Sequence, residues 1–162
     1  MGGKVMGKVT FVVGCDNAAV ELKQELLGVL KAQGLEYEDV GVASTADDTM
    51  YPSVAEQVCQ RIIDSGYKKE GILVCGTGIG MAITANEFPG IYAAVCHDNY
   101  SAERARLSNN TNVICMGARI IGPELAKKVL AEWLQLKFQG GRSQAKVDKI
   151  QELESRFGHD KR

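Results

Sequence analysis

"GILVCGTGIGMAITAN", residues 71–86, decides how this chain is read. A β-branched, apolar run ends in Cys75, and Gly76, Gly78 and Gly80 alternate directly behind it. A short continuous apolar run bounded by glycine fits a strand buried on both faces of a parallel sheet. The glycines let backbone N–H groups point inward around a small anion. A helix beginning near Met81 adds partial positive charge at the same place. The segment therefore predicts a strand, an anion-holding turn and a helix, with a thiol at the junction.

Four similar runs recur: "VTFVVG" (9–14), "LEYEDVG" (35–41), "IYAAVC" (91–96) and "NVICMG" (112–117). Amphipathic segments lie between them. "AAVELKQELLGVLKAQG" places Val20, Leu22, Leu26, Leu27 and Leu30 at helical spacing, and Gly34 stops it. "PSVAEQVCQRIIDSG" has Pro52 at a first helical position and ends at Gly66. "YSAERARLS" and "PELAKKVLAEWLQLKF" are two more. The alternation predicts an α/β fold. It is a Rossmann-like, doubly wound, parallel five-stranded sheet between helical layers (an α/β/α sandwich), with right-handed crossovers.

Residues 8–138 would form this domain. Residues 139–162 open on glycines and continue as a polar helix, a C-terminal extension of the same domain. Ile150, Leu153 and Phe157 give it a narrow apolar stripe, expected to dock on its own domain. Residues 1–7, before the second methionine's "GKVTFVVG", read as a leader or an appended remnant. A net charge of −1 gives no electrostatic footprint for nucleic acid or an anionic membrane. No apolar run reaches bilayer-spanning length. Five cysteines without a CxxC pair argue against a disulfide framework or zinc knuckle, so a reducing, cytoplasmic setting is the expectation. With only two histidines, neither a metal nor another cofactor is expected.

Cys15, Cys75, Cys96 and Cys115 are all expected to close strands, where open α/β sheets bind ligands. The polar residues just beyond are site candidates: Asp16 and Asn17, Thr77 among its glycines, His97 and Asp98, and Arg119. Cys59, Cys96 and Cys115 read as small buried hydrophobes. Cys75 reads differently because of its loop. The GxGxG spacing is not the GxGxxG of a dinucleotide site, and the Lys-Ser/Thr pair of a P-loop is missing. Such a loop could hold a developing oxyanion while its N–H groups favour the thiolate. The cysteine could then act as nucleophile or as general base.

Longer stretches carry a resemblance: "GCDNAAVELK", "YPSVA", "ILVCGTGIGMAITANEFPGIYAAVCHD", "YSAERARLSNNTNVICMGARIIG" and "GGRSQAKV", in that order. Together they resemble the type B ribose-5-phosphate isomerases, which share a fold with the galactose-6-phosphate isomerase subunits. The resemblance implies a metal-free aldose–ketose isomerase of a small phosphorylated sugar. Ribose 5-phosphate and ribulose 5-phosphate would interconvert through a cis-enediolate, with Cys75 as base and Thr77 shuttling a proton between the substrate oxygens. Gly76, Gly78 and Gly80 would hold the enediolate. Asp16 and Tyr51 would contact sugar hydroxyls and Asn109 the anion. Arg142 and Lys146 would hold the phosphate, and Arg119 would arrive from a neighbouring subunit. The resemblance also implies a homodimer, in some members paired into a tetramer.

Two positions depart from the family pattern. Asn17 stands where many members have a phosphate-binding histidine. Ser108 stands where many have the histidine that opens the furanose ring, which a serine hydroxyl cannot do near neutral pH. Either His97 takes over, or ring opening is left to solution, or the substrate has no ring. A tetrose 4-phosphate has its C4 hydroxyl esterified and cannot close a five-membered ring. Family branches acting on tetrulose 4-phosphate and erythrose 4-phosphate look similar in "HDNYSAERARLSNN". A non-catalytic sugar-phosphate sensor is the binding-module alternative, and a cysteine-dependent redox or hydrolytic enzyme is a third. The charged face of Glu103, Arg104 and Arg106 is expected to be solvated or to form a subunit seam.

Overall fold

A computed structural model describes residues 9–158. The leader read over residues 1–7 lies outside them. In chain order the elements are β1 (Phe11–Cys15), α1 (Val20–Ala32), β2 (Tyr37–Asp39), α2 (Tyr51–Asp64), β3 (Glu70–Cys75) and α3 (Ile79–Ala85). They continue as β4 (Ala93–Val95), α4 (Asn99–Leu107), β5 (Val113–Gly117), α5 (Pro123–Gln135), a 3-10 turn (Gly141–Ser143) and α6 (Gln144–Phe157). All strand pairs are parallel, in the order β2-β1-β3-β5-β4. The chain winds one way from β1 to β2, then crosses to β3 on the other side. That reversal opens a crevice beyond the ends of β1 and β3.

The central strands are apolar because helices cover both faces: β1 and β5 are buried throughout, and β3 is buried except at Glu70. The runs expected over 35–41 and 91–96 shrink to three residues each, since an edge strand is paired on one side only. At β4 the outer edge is closed by a side chain. Asn86 donates from Nδ2 to the Ala93 carbonyl (3.0 Å) and accepts the Ala93 N–H on Oδ1 (2.8 Å). An amide thus imitates a neighbouring strand and blocks further pairing there. Cys15 and Cys75 close their strands and Cys96 directly follows β4. Cys115 sits mid-strand instead, because β5 runs on to Gly117.

Arg106 overturns the expectation of a solvated charged face. It is 2% exposed. Its Nε donates to the Trp133 carbonyl (3.0 Å), Nη1 donates to the Thr111 carbonyl (2.7 Å), and Nη2 pairs with Glu70. The guanidinium lies 3.4 Å from the centre of the Trp133 ring. A rigid, planar donor set can be buried when each edge finds an acceptor and its face finds an aromatic ring. Arg104 and Glu103, one turn away, pair with each other at the surface (2.8 Å).

The C-terminal helix also differs from expectation. Ile150, Leu153 and Phe157 border a cleft with Pro89, Ile91 and Tyr92 but stay substantially exposed, Phe157 at 61%. Buried Val147 fastens α6 instead, together with Glu154, which accepts from the Gly90 N–H (3.0 Å) and the Tyr92 hydroxyl (2.8 Å). Among the described residues no helix is long and apolar enough to cross a membrane. Removing the Arg106 guanidinium leaves the Glu70 carboxylate and two carbonyls short of a donor. Arg106→Ala is expected to destabilise the fold by about 3–5 kcal/mol, measured by urea denaturation.

Candidate active site

Cys75 ends β3 at the crevice, 5% exposed. The chain then turns through Gly76, Thr77 and Gly78 into α3. Gly78 adopts φ +78°, a left-handed conformation that glycine takes at no steric cost. This conformation lets α3 begin at Ile79, two residues before Met81. It also aims the Gly78 N–H back at the Cys75 sulfur, 3.1 Å away. The other sulfurs have different partners. Cys15 donates to the Val42 carbonyl and Cys96 to the Ala94 carbonyl. Burial pushes Cys15 and Cys96 up to about 11 and Cys59 up to about 12, and holds fully buried Cys115 well above the usual thiol range. Among the described residues, Cys75 is the cysteine whose sulfur receives a hydrogen bond. That is the arrangement a thiolate needs.

The turn rests on the end of β5. Cys75 stands in register with Gly117. Beyond the strands, Ala118 N–H donates to the Cys75 carbonyl (2.8 Å) and Arg119 N–H to the Gly76 carbonyl (3.0 Å). A Cβ on Gly117 would stand 2.5 Å from the Thr77 Cα, and one on Gly78 would stand 2.9 Å from the Met116 carbonyl carbon. Backbone lies directly on backbone, with no space for a side chain between. Gly117 was not singled out in the sequence; its signal is a glycine ending the strand beside a glycine-rich turn. Thr77 Oγ1 accepts the Ile79 N–H at 3.3 Å. Tyr51, at the start of α2, lays its ring over Gly80, where a Cβ would meet it at 2.5 Å.

Asp16 follows β1, and its N–H donates to the Val74 carbonyl (3.3 Å), which seats it beside the Cys75 end of β3. Its carboxylate accepts the Ala18 N–H (3.0 Å), and Asn17 is exposed next to it. Arg119 reaches the loop of its own chain: its Nη1 would lie 3.3 Å from a Cβ on Gly76. A neighbouring subunit is not required to bring it there, because β5 flanks β3 and carries Arg119 past the turn.

His97 follows β4, and its Nε2 accepts the Gly117 N–H at 2.8 Å. Burial pushes its imidazole pKa below the usual value, with nearby Asp98 pulling the other way. Asp98 itself caps α4, accepting from the Ser101 N–H (2.7 Å) and hydroxyl (2.6 Å), which holds its carboxyl below the usual range.

The structure therefore gathers Cys75, Thr77, Gly76, Gly78, Gly80, Tyr51, Asp16, Asn17, Arg119 and His97 at one end of the sheet. Ser108 and Asn109 lie elsewhere. They follow α4, which runs back toward the start of β5. The length of that strand, roughly 13 Å, separates its start from Gly117. There Ser108 accepts from Arg104 Nη1 (3.4 Å), and Asn109 is exposed. Arg142 sits in the 3-10 turn and Lys146 in the first turn of α6. Both are exposed, and their side chains make no hydrogen bond or ion pair among the described residues. No group of three or more His, Cys, Asp or Glu side chains among the described residues is placed to hold a metal ion.

The contact of Gly117 with Thr77 yields a direct test. Gly117→Ala forces the turn to shift by about an ångström, and misplacements of that size cost about 100-fold in rate. A kcat loss of that order with a retained circular dichroism spectrum is expected.

Residues 11–150 match the family described as Ribose/Galactose Isomerase. The Ribose-5-P isomerase B of Listeria innocua is 50% identical over 144 residues, covering 89% of this chain and 96% of that protein. The D-erythrulose-4-phosphate isomerase of Pectobacterium atrosepticum is 47% identical over 151 residues, covering 93% and 99%. The crystal structure of ribose-5-phosphate isomerase B from Mycoplasma genitalium, with bound ribulose-5-phosphate, superposes with a TM-score of 0.86. It is 30% identical and covers 91% of this chain and 97% of that one. The thiol, the glycine turn and the strand order all occur in a sequence matched along nearly its whole length, and the chain belongs to the ribose/galactose isomerase family.

Proposed function

We propose that this isomerase interconverts ribose 5-phosphate and ribulose 5-phosphate, with Cys75 as the base. The observation that carries the reading is the Gly78 N–H aimed at the Cys75 sulfur inside a glycine turn at the crevice. Cys75, as thiolate, removes the proton from C2 of the open-chain aldose. The C–H electron pair becomes the C1=C2 bond of a cis-enediolate, and the carbonyl electrons move onto O1. Thr77 passes a proton from O2 to O1. The Cys75 thiol then returns its proton to C1, which leaves the C2 ketone. The negative charge that develops on oxygen is held by preorganised N–H donors of the turn, whose value lies in needing no reorganisation as the charge appears. Relatives named as ribose-5-phosphate isomerases support this substrate. A non-catalytic sensor has no use for a sulfur held as an acceptor beside Thr77.

Ser108 favours a second reading, isomerisation between tetrulose 4-phosphate and erythrose 4-phosphate. Its hydroxyl is no base at neutral pH, and a four-carbon substrate needs no ring opening. The Pectobacterium relative carries a name of that kind.

A site shared between two copies of the chain is part of the proposal. Ser108 and Asn109 lie away from the Cys75 of their own chain, and Arg142 and Lys146 are exposed cations whose side chains have no partners among the described residues. A homodimer would bring such residues to a partner's thiol. A cytoplasmic setting fits five cysteines that are all unpaired.

Three outcomes are expected. Cys75→Ala lowers kcat at least ~100-fold while substrate binding persists, and iodoacetate inactivates the wild type unless substrate protects it. Near-normal turnover of Cys75→Ala would remove the mechanism. In the wild type, kcat/KM is higher for ribose 5-phosphate than for erythrose 4-phosphate, and Ser108→His widens the gap. A tetrose preference would establish the second reading. Sedimentation gives at least a dimer; an active monomer would defeat the shared site.

A further inference from the structure

We infer that His97 is a positioning residue for the proton-transfer turn. Its imidazole supplies Gly117 with the hydrogen-bond acceptor that β4 no longer provides, and so fixes the strand end on which Cys75 and Thr77 rest. The inference rests on the isomerase reading of Cys75.

The β4–β5 ladder runs from Ala93 opposite Val113 to Val95 opposite Cys115, and its last rung is the Cys96 N–H donating to the Cys115 carbonyl (3.0 Å). The next donor along that side of β5 is the Gly117 N–H. By then the chain has left the sheet toward Asp98 and the start of α4. The His97 ring reaches back instead and accepts that N–H on Nε2 at 2.8 Å. The ring proton therefore resides on Nδ1. Nε2 is thereby engaged and is not free to exchange protons with a sugar ring.

Gly117 is where this matters. On one side it stands in register with Cys75, and on its Cα face it touches the Thr77 backbone. Its carbonyl accepts the Ile120 and Ile121 N–H groups (3.0 and 3.1 Å), and its own N–H has the imidazole as acceptor, so His97 fixes the β4 side of a residue whose backbone is intrinsically the freest of any. A buried N–H without an acceptor also carries a desolvation penalty. Asp98, the adjacent carboxylate, is engaged in capping α4 and offers Gly117 no substitute. The sequence signal is a histidine directly after an edge strand, opposite the glycine that ends the neighbouring strand.

The test compares His97→Leu, which fills the space without an acceptor, with His97→Gln, whose Oε1 has a reach similar to Nε2. Both are assayed with ribose 5-phosphate and with erythrose 4-phosphate, which has no furanose ring to open. His97→Leu is expected to lower kcat about tenfold or more for both sugars, with KM moving less than about threefold. His97→Gln should restore kcat to within about threefold of wild type. A loss confined to ribose 5-phosphate, or a glutamine variant as impaired as the leucine variant, would overturn the inference, because the imidazole would then be reacting itself. Unchanged turnover in His97→Leu would overturn it too. Amide hydrogen exchange at Gly117 gives a readout independent of catalysis. It should be at least about tenfold faster in His97→Leu than in His97→Gln, and equal rates would refute the positioning role. If wild type turns over neither sugar, the isomerase reading fails, while the exchange comparison still decides whether His97 holds Gly117. Should the leucine variant not fold, His97→Asn, whose shorter amide falls short of Gly117, takes its place against the same glutamine control.

Discussion

Between the turn that follows β3 and the end of β5 there is no room for a single side-chain carbon. The Thr77 backbone lies on Gly117 and Gly78 lies on the Met116 backbone, so the two strand ends are locked together through main chain alone. From this contact follow the left-handed Gly78, the aim of its N–H at the Cys75 sulfur, and the short helix that begins at once behind it. A reactive thiol on a mobile loop would spend most of its time away from the geometry that proton transfer requires. Here the loop has the rigidity of a sheet rung.

Topology decides what else can reach that thiol. Because the winding reverses between β1 and β3, Asp16 and Cys75 emerge side by side with no crossover helix between them. The β5 neighbour adds Arg119, and α2 adds Tyr51 from above. Each crossover helix must return to the opposite end before the next parallel strand starts. Residues that end such helices, Ser108 and Asn109 among them, are therefore carried away from the same chain's crevice.

Much of this was legible in the sequence. Continuous apolar runs alternating with amphipathic stretches specify the layers, and the glycine spacing behind Cys75 marks the turn. What stayed hidden depends on partners distant in sequence. Arg106 reads as one more charge on a polar helix. Its burial needs Glu70, Thr111 and Trp133, contributed by a strand, a loop and another helix. The stripe of Ile150, Leu153 and Phe157 has helical periodicity, but periodicity says nothing about the neighbour, and Val147 and Glu154 do the fastening. Cys115 was placed at a strand end because apolar runs do not reveal where a strand stops when glycine follows. Gly117 and the origin of Arg119 became visible only with the β3–β5 register. The resemblance named most of the residues around Cys75, yet it could not say which of them share one chain's crevice.

The buried stack of Arg106 on Trp133 has an optical consequence. Trp133 is the only tryptophan in the sequence. Its ring sits fully buried under the guanidinium, its Nε1 donates to Thr111 Oγ1 (3.0 Å), and Phe11 meets it edge-on at 6.4 Å. Every one of those contacts lies toward the beginnings of the strands, at the opposite pole from Cys75. The chain thus carries a single indole, which watches the closure of its core from the pole opposite the crevice. Emission on excitation of the indole reports whether the strand-start half of the domain is packed, and a sugar settling on the glycine turn leaves that colour unchanged.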